Sequence, residues 1–269
     1  MRISQRAWTQ YIYALRKVND AAYTAMKDYL DTYGLPKEDW EEDAMIDVAT
    51  AIARKYGEAS ATLSAEFYDK IGRLSGKILP AALPAEDATV HEVAKAVVCT
   101  AKTGNVEIVA GAVSRIVKQQ GVDTTMQNAI RDGAEWAWVP QGETCAFCIT
   151  LASRGWQRAS KKALKGGHAE HIHANCDCTY AIRFDSSSSV GGYDPQEYRD
   201  MYDYTLNKVW DPEDEAYEYK ERRGSPQAKI NALRRELYAE NREKILAQKA
   251  SAYEKSKELE SSAAEEAKV

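Results

Sequence analysis

The sequence lacks a continuous apolar run long enough to cross a membrane. Its most apolar stretches, residues 94–98 and 106–117, are short or broken by polar residues, whereas a membrane-spanning helix needs about 20 consecutive apolar residues. The first residues also lack the apolar core of a cleaved signal peptide. We therefore expect a protein made in the cytoplasm, where paired cysteines bind metal more readily than they form disulfides.

Basic residues are not in excess. The 269-residue chain has 36 Lys and Arg against 41 Asp and Glu, a formal net charge of -5. A general nucleic-acid binder needs a concentrated basic excess, so this class is disfavoured. One basic run extends from Arg154 to Lys165 without an acid, and we interpret it as a solvated loop or short helix. The sequence also lacks an internal repeat and a Gly-x-Ser-x-Gly nucleophile motif.

Apolar residues at three- and four-residue steps predict two long helices in the first third of the chain. The first helix ends at Gly34, because a glycine followed by a proline is typical of a helix C-terminus. The second helix has Asp39 as its N-cap, with Glu42 three residues later, and runs antiparallel to the first. The stripes expected in the core are Trp8, Tyr11, Leu15, Val18, Ala22, Ala25 and Tyr29, then Met45, Val48, Ile52, Tyr56, Leu63, Phe67 and Ile71.

Further helices are predicted beyond a proline-bounded connector. They cover about residues 86–102 and 106–119, with Gly121 as a break before another helix that begins at Thr124 or Thr125. Cys99 falls on an apolar face of the first of these helices, and we expect it in the core.

The later part of the chain predicts two strands and then more helix. The strands are residues 136–139 and 178–184, which are rich in aromatic and β-branched side chains. Residues 186–192 read as a flexible Ser- and Gly-rich linker. A helix opens at Pro195, and a long charged helix extends from about residue 226 to the end.

These patterns predict a mainly α protein with a small α+β domain. The expected divisions are a helical N-terminal region over 1–120, an α+β knuckle domain over 121–185, and a linker with a charged helical region over 186–269.

Four of the five cysteines and three of the four histidines fall in one short part of the chain. A Cys-x-x-Cys turn lets Cys145 and Cys148 reach one ion, and a second group some 25 residues later can complete a tetrahedron. Three thiolates with an imidazole, or four thiolates, would form a closed structural zinc site. The candidate ligands are Cys145, Cys148, His173, Cys176 and Cys178.

The ligand set stays open between two choices. Cys145, Cys148 and Cys176 are the firm candidates, and the fourth ligand is either His173 or Cys178, because two cysteines two apart in a strand point to the same face. The alternatives to metal binding are a reduced buried cysteine cluster and disulfides formed late in an oxidising setting.

A catalytic interpretation of the same segment is the alternative function. His168, His171, His173 and Asn175 are similar to the core of small metal-dependent nucleases. They do not form the His-Glu-x-x-His pattern of zinc peptidases. The order of motifs also differs from that of zinc deaminases.

The motifs around these residues resemble those of the MuF-like minor head proteins of tailed phages, especially of phages that infect actinobacteria. The resemblance covers about residues 132–184. It rests on a strand, a Thr-Cys-x-x-Cys turn, a short helix ending near a glycine, and a His-x-Asn-Cys-x-Cys knuckle that leads into a strand. Ala174 stands where many relatives have proline. The corresponding segments are Trp136–Val139, Gly142–Cys148, Leu151–Trp156 and His173–Cys178.

The resemblance implies a structural, non-enzymatic role in head morphogenesis. The expected partners are the portal and the capsid or scaffold proteins, with weak contact to packaged DNA. The expected location is the interior of the virion head, and the host cytoplasm during assembly. Zinc is the expected structural cofactor.

Overall fold

A computed structural model describes residues 2–140, 146–160 and 179–209. The chain divides into two compact units. The first unit comprises residues 1–144 and 154–195, and the second comprises residues 145–153 and 196–269.

Helices dominate the part of the chain that the structure describes. The first unit contains β1 (Arg2–Ile3), α1 (Gln5–Tyr33), α2 (Asp39–Leu74), α3 (Val90–Ala101), α4 (Val106–Asp132), β2 (Glu135–Val139), β3 (Gln157–Arg158), β4 (Thr179–Arg183) and β5 (Ser189–Val190). The second contains α5 (Ala146–Ala152) and α6, whose range Pro195–Val209 begins at the boundary. The predicted fold class, mainly α with a small α+β part, is confirmed.

Helices α1 and α2 form an antiparallel hairpin, as predicted. Trp8 near the start of α1 lies 5.8 Å from the ring of Phe67 near the end of α2, and Tyr11 stacks on the same ring at 4.0 Å. Gly34 ends α1 with φ 80°, a backbone conformation that favours glycine, and its N–H donates to Leu30 O.

The start of α2 differs from the prediction by one residue. Glu38, not Asp39, is the N-cap. The Glu41 carboxylate, not that of Glu42, accepts hydrogen bonds from the N–H groups of Lys37 (2.7 Å) and Glu38 (3.1 Å). These bonds hold the pKa of Glu41 below its usual value. Acids occupy both positions 38 and 39 and both positions 41 and 42. A three-residue spacing therefore fits two capping pairs, and the sequence did not show which one forms.

The buried face of α2 consists mostly of small residues, and this also departs from the prediction. Met45 and Ile71 are buried as expected, but the other five predicted core residues of α2 are only half-buried. Small side chains allow α4 to approach closely, so they occupy the contact instead of the larger aliphatics. The small residues that form the face are Ala49, Ala53, Gly57, Ser60, Ala61 and Ser64.

Helix α4 runs without interruption through Gly121, where the sequence predicted a break. A Cβ at this position would lie 2.5 Å from Ser60 Oγ and 2.9 Å from Ser64 Oγ. The glycine therefore marks a close approach of α2 to α4, not a helix end. Helix α3 is shorter than predicted and begins at the Thr89 cap, whose hydroxyl accepts from Glu92 N.

The connector between α2 and α3 is extended and is held by polar side chains of α4. The Asn128 side chain makes two hydrogen bonds to the backbone of Leu83, accepting from its N–H (3.0 Å) and donating to its carbonyl (2.8 Å). Thr124 Oγ1 accepts from Ala85 N, and Gln120 Nε2 donates to Glu86 O. At the other end of the connector, Arg131 donates to the carbonyls of Pro80 and Ala81. Side chains from successive turns of α4 thus supply the hydrogen bonds that a neighbouring strand would supply to an extended segment in a sheet.

The sequence prediction of a flexible linker over 186–192 is wrong. Strand β5 lies within it and pairs in parallel with β1, Ile3 beside Val190. Val190 is buried, and a Cβ on Gly191 would lie 2.7 Å from Gln5 N. Small residues are required here because the backbone at Gly191 comes close to that at Gln5. A Ser- and Gly-rich composition is the same for such a close contact as for a flexible linker, so it did not distinguish them. The domain boundaries of the sequence analysis stay a prediction.

None of the helices in the described ranges is long and apolar enough to cross a membrane.

Candidate metal centre

The small sheet of the first unit has the strand order β3-β2-β4, and both neighbours of β2 are antiparallel to it. Both predicted strands are therefore present. Their register places Val139 opposite Thr179 and Glu135 opposite Arg183. The β2–β4 pair thus has two ends, one marked by Val139 and Thr179 and the other by an ion pair.

The predicted cysteine ligands adjoin one end of this strand pair in the sequence. Cys178 immediately precedes Thr179, and Cys145 follows Val139 by six residues. Directly opposed residues of an antiparallel pair have Cα atoms about 4.5–5.5 Å apart. The two chain segments that carry the candidate ligands therefore depart from neighbouring backbone positions.

Aromatic side chains fix the strand pair. The Tyr180 ring lies edge-on to Trp136 at 4.9 Å and to Trp138 at 4.5 Å, and all three residues are buried. Each such aromatic pair adds about 0.5–1.5 kcal/mol beyond the burial of its area. The end of the sheet that leads to the cysteine segments is consequently well anchored.

The opposite end of the sheet is held by Arg183. Its Nε donates to Glu135 Oε2 at 2.6 Å, and its guanidinium lies 4.6 Å from the centre of the Trp156 ring. Trp156 in turn packs edge-on against Tyr193 at 5.9 Å. The basic residue Arg183 is thus used for packing and for closing the sheet.

Only one predicted ligand lies in the part of the chain that the structure describes. Cys148 is in α5 of the second unit and is 1% exposed. Within that unit Ala146 and Ile149 pack against Tyr198 and Tyr202 of α6. Cys145, His173, Cys176 and Cys178 lie outside the described residues, as do His168, His171 and Asn175 of the alternative nuclease centre.

Residues 2–140, 146–160 and 179–209 do not bring three or more His, Cys, Asp or Glu side chains together as a metal site. The metal site predicted at the cysteines and histidine of the knuckle stays a prediction. Thiolates and an imidazole are the donors that zinc takes in closed structural sites, so the chemistry of the candidate set fits this metal.

The prediction for Cys99 is wrong, because this residue is exposed on α3. The buried residues of α3 are Val93 and Val97, which are one turn apart and point toward α2 and α4. Cys99 is two residues beyond Val97, which places it on the opposite side of the helix.

The structure contains a cavity of mixed polarity that the sequence did not predict. It has a volume of about 120 Å³, lies between α1, α2, α4 and β4, and includes Thr179 at the start of β4 in its wall. Asn19 Oδ1 is buried and has no hydrogen-bond partner in the described part of the chain. The cavity is large enough for ordered water, which would satisfy that oxygen. Its lining residues come from four elements, so sequence spacing gave no signal of it.

A half-buried carboxylate on α4 was also missed. Burial raises the pKa of Asp123 to about 6, a hydrogen bond from Gln119 Nε2 (2.9 Å) opposes the rise, and the nearby Glu92 adds to it. An acid within a helical stripe of mixed polarity gives no sequence signal of its burial.

The model of the VG15 protein family matches residues 2–205, about three quarters of the chain. The match covers all of α1 to α5, the sheet and most of α6. No curated protein and no solved structure matches the sequence. The chain belongs to the VG15 protein family and is a phage-associated protein.

Proposed function

We propose that this protein is a MuF-like minor head protein that acts in phage head morphogenesis and associates with the portal. Its role is structural and not enzymatic. The observation that carries the proposal is the chain order of its elements: strand β2, short helix α5, Gly155 with φ 65°, and strand β4. The resemblance to MuF-like proteins implies this order, and membership of a phage-associated family supports the same direction.

We further propose a structural zinc knuckle held by Cys145, Cys148 and Cys176, with His173 or Cys178 as the fourth ligand. The pairing of Val139 with Thr179 supports it, because the segments on which Cys145 and Cys178 lie start from adjacent backbone positions. A closed zinc site of this kind staples loops together and leaves no position for substrate. Binding of the ion contributes directly to folding stability.

Metal analysis of the purified full-length protein tests the knuckle. We expect about one zinc per chain, as in a closed structural site, and a lower melting temperature after chelation. Cys145→Ser and Cys176→Ser should each lose the metal, and Cys99→Ser is the matched control because Cys99 is exposed and outside the motif. Full zinc content in both ligand variants would rule the knuckle out.

The head-protein role is tested on particles of the parent phage. An antibody to the chain should detect it in purified procapsids and virions, and the chain should co-purify with the portal when the two are co-expressed. Absence from both particles and portal would contradict the role. Cleavage of DNA that is lost in His171→Ala, with the fold retained, would favour the nuclease alternative instead.

A further inference from the structure

The α1–α2 turn forms a surface that is both aromatic and acidic. Tyr33 is 74% exposed and Trp40 is 70% exposed. Between residues 31 and 47 the chain has one lysine and seven acids, namely Asp31, Glu38, Asp39, Glu41, Glu42, Asp43 and Asp47. Two of the acids are already engaged, Asp31 by Lys27 and Glu41 by the helix cap. We call this surface the acidic end. Exposed aromatic rings in a charged rim are typical of protein interfaces.

The opposite end of α2 and the connector form a surface that is aliphatic and basic. Leu74 is 55% exposed, Ile78 fully exposed and Leu83 62% exposed. Lys70, Arg73 and Lys77 fall in the same stretch of sequence, which has no acid from Lys70 to Ala85. The preceding acid, Asp69, is already engaged, because its Oδ1 accepts from Ala82 N at 2.9 Å. We call this surface the basic end. The hydrogen bonds from α4 hold part of the connector backbone in place, so Leu83 is presented in a defined position.

The two ends cannot meet within one molecule. Trp40 and Arg73 lie at the two ends of one uninterrupted helix. Their separation of 33 residues corresponds to about 50 Å at 1.5 Å per residue. A contact between the acidic end and the basic end therefore requires two molecules.

We propose that the acidic end of one molecule docks on the basic end of a second copy of this chain. The aromatic rings of one surface and the aliphatic side chains of the other supply apolar anchors. The surrounding charges are of opposite sign, which directs and orients the encounter. Nucleic acid cannot be the partner of both ends, because the acidic end repels its phosphates.

Such a contact joins two different surfaces, so it is heterologous. Each molecule that joins leaves one acidic and one basic end unused, and association continues until a ring closes or a filament grows. This inference goes beyond the proposed role in the phage head and does not depend on it.

Sedimentation velocity of the full-length protein tests the proposal. We expect association that grows with protein concentration at about 50 mM salt and weakens at least about tenfold at about 500 mM, because the charges are exposed to solvent. Trp40→Ala should also weaken association at least about tenfold. Tyr13→Ala is the matched control, since Tyr13 is an aromatic residue that is 60% exposed on α1 and belongs to neither end.

Charge reversal separates the two surfaces. The acidic-end variant is Glu42→Lys with Asp43→Lys, and the basic-end variant is Arg73→Glu with Lys77→Glu. Each should be monomeric alone, and an equimolar mixture should form a dimer and nothing larger, because one intact pair of surfaces remains. The matched reversal of Arg54 and Lys55 in the middle of α2 should associate like the wild type. Circular dichroism checks that every variant is folded.

Three results would overturn the proposal. The first is a wild-type chain that remains monomeric at low salt and high concentration. The second is association that persists in either charge-reversed variant. The third is a mixture of the two variants that stays monomeric, because this would show that the two ends do not bind each other.

Discussion

The contact between Gly57 of α2 and Gln120 of α4 gives a sharp test of the helix packing. Gln120 is 4% exposed, and its amide occupies the space that a side chain at position 57 would need. A Cβ on Gly57 would lie 1.3 Å from Gln120 Oε1 and 2.5 Å from its Cδ. Gly57→Ala therefore forces the buried amide to move.

The expected cost combines three contributions. Overpacking of a tight core costs about 1–3 kcal/mol, and loss of the Gln120 hydrogen bond to Glu86 O costs about 1 kcal/mol. Alanine in place of glycine within a helix returns about 1 kcal/mol. We expect a net loss of about 2 kcal/mol, which corresponds to a melting temperature about 4–8 °C lower in a protein of this size.

Urea denaturation followed by circular dichroism measures this effect. The double variant Gly57→Ala with Gln120→Ala should be more stable than the sum of the two single changes predicts, by about 1–2 kcal/mol, because the new methyl group enters the space that the amide leaves. If Gly57→Ala raises stability, or if the two changes are simply additive, the close packing described here is incorrect.

Three further predictions concern other contacts. Because burial raises the pKa of Asp123 to about 6, the folded state binds more protons than the unfolded state between about pH 4 and 6, and stability falls as pH rises through this range. Asp123→Asn should abolish that dependence and add about 1–3 kcal/mol at pH 7, measured by urea denaturation; an unchanged pH profile would contradict it. Asn128→Ala should speed hydrogen exchange at the Leu83 amide and cost about 1–3 kcal/mol, because the Leu83 N–H loses its acceptor while the Leu83 carbonyl keeps its hydrogen bond from Gln127 Nε2; unchanged exchange would refute this. Arg183→Lys should cost about 1 kcal/mol in thermal unfolding, since lysine cannot stack on an aromatic face as guanidinium does, and Glu135→Gln should cost less; the reverse order would show that the ion pair matters more than the stack.

Periodicity predicted the main elements because it reports which side of a segment is apolar. It gave α1, α2 and both strands of the β2–β4 pair. It did not show that α2 and α4 approach each other closely at Gly57 and Gly121, because glycine occurs both in helix interfaces and at helix ends. Only the residues that surround the glycine in the folded protein distinguish these two roles.

The candidate metal centre was predicted from residue types alone, and the structure adds the register of the strands beside it. The pairing of Val139 with Thr179 could not be read from the sequence, because register depends on which side chains meet across the sheet. The cavity could not be predicted from the sequence either, because residues that are far apart along the chain form its wall.

The connector between α2 and α3 is recognised by α4 mainly through its peptide groups. These hydrogen bonds do not depend on which side chains the connector carries, but they do depend on its length. Asn128 and Arg131 meet the backbone at fixed intervals, so one inserted or deleted residue between Pro80 and Glu86 would shift every later peptide group out of reach of its partner. In relatives of this chain, the connector should therefore tolerate substitutions but not insertions or deletions. Its constant length can be used to align their sequences.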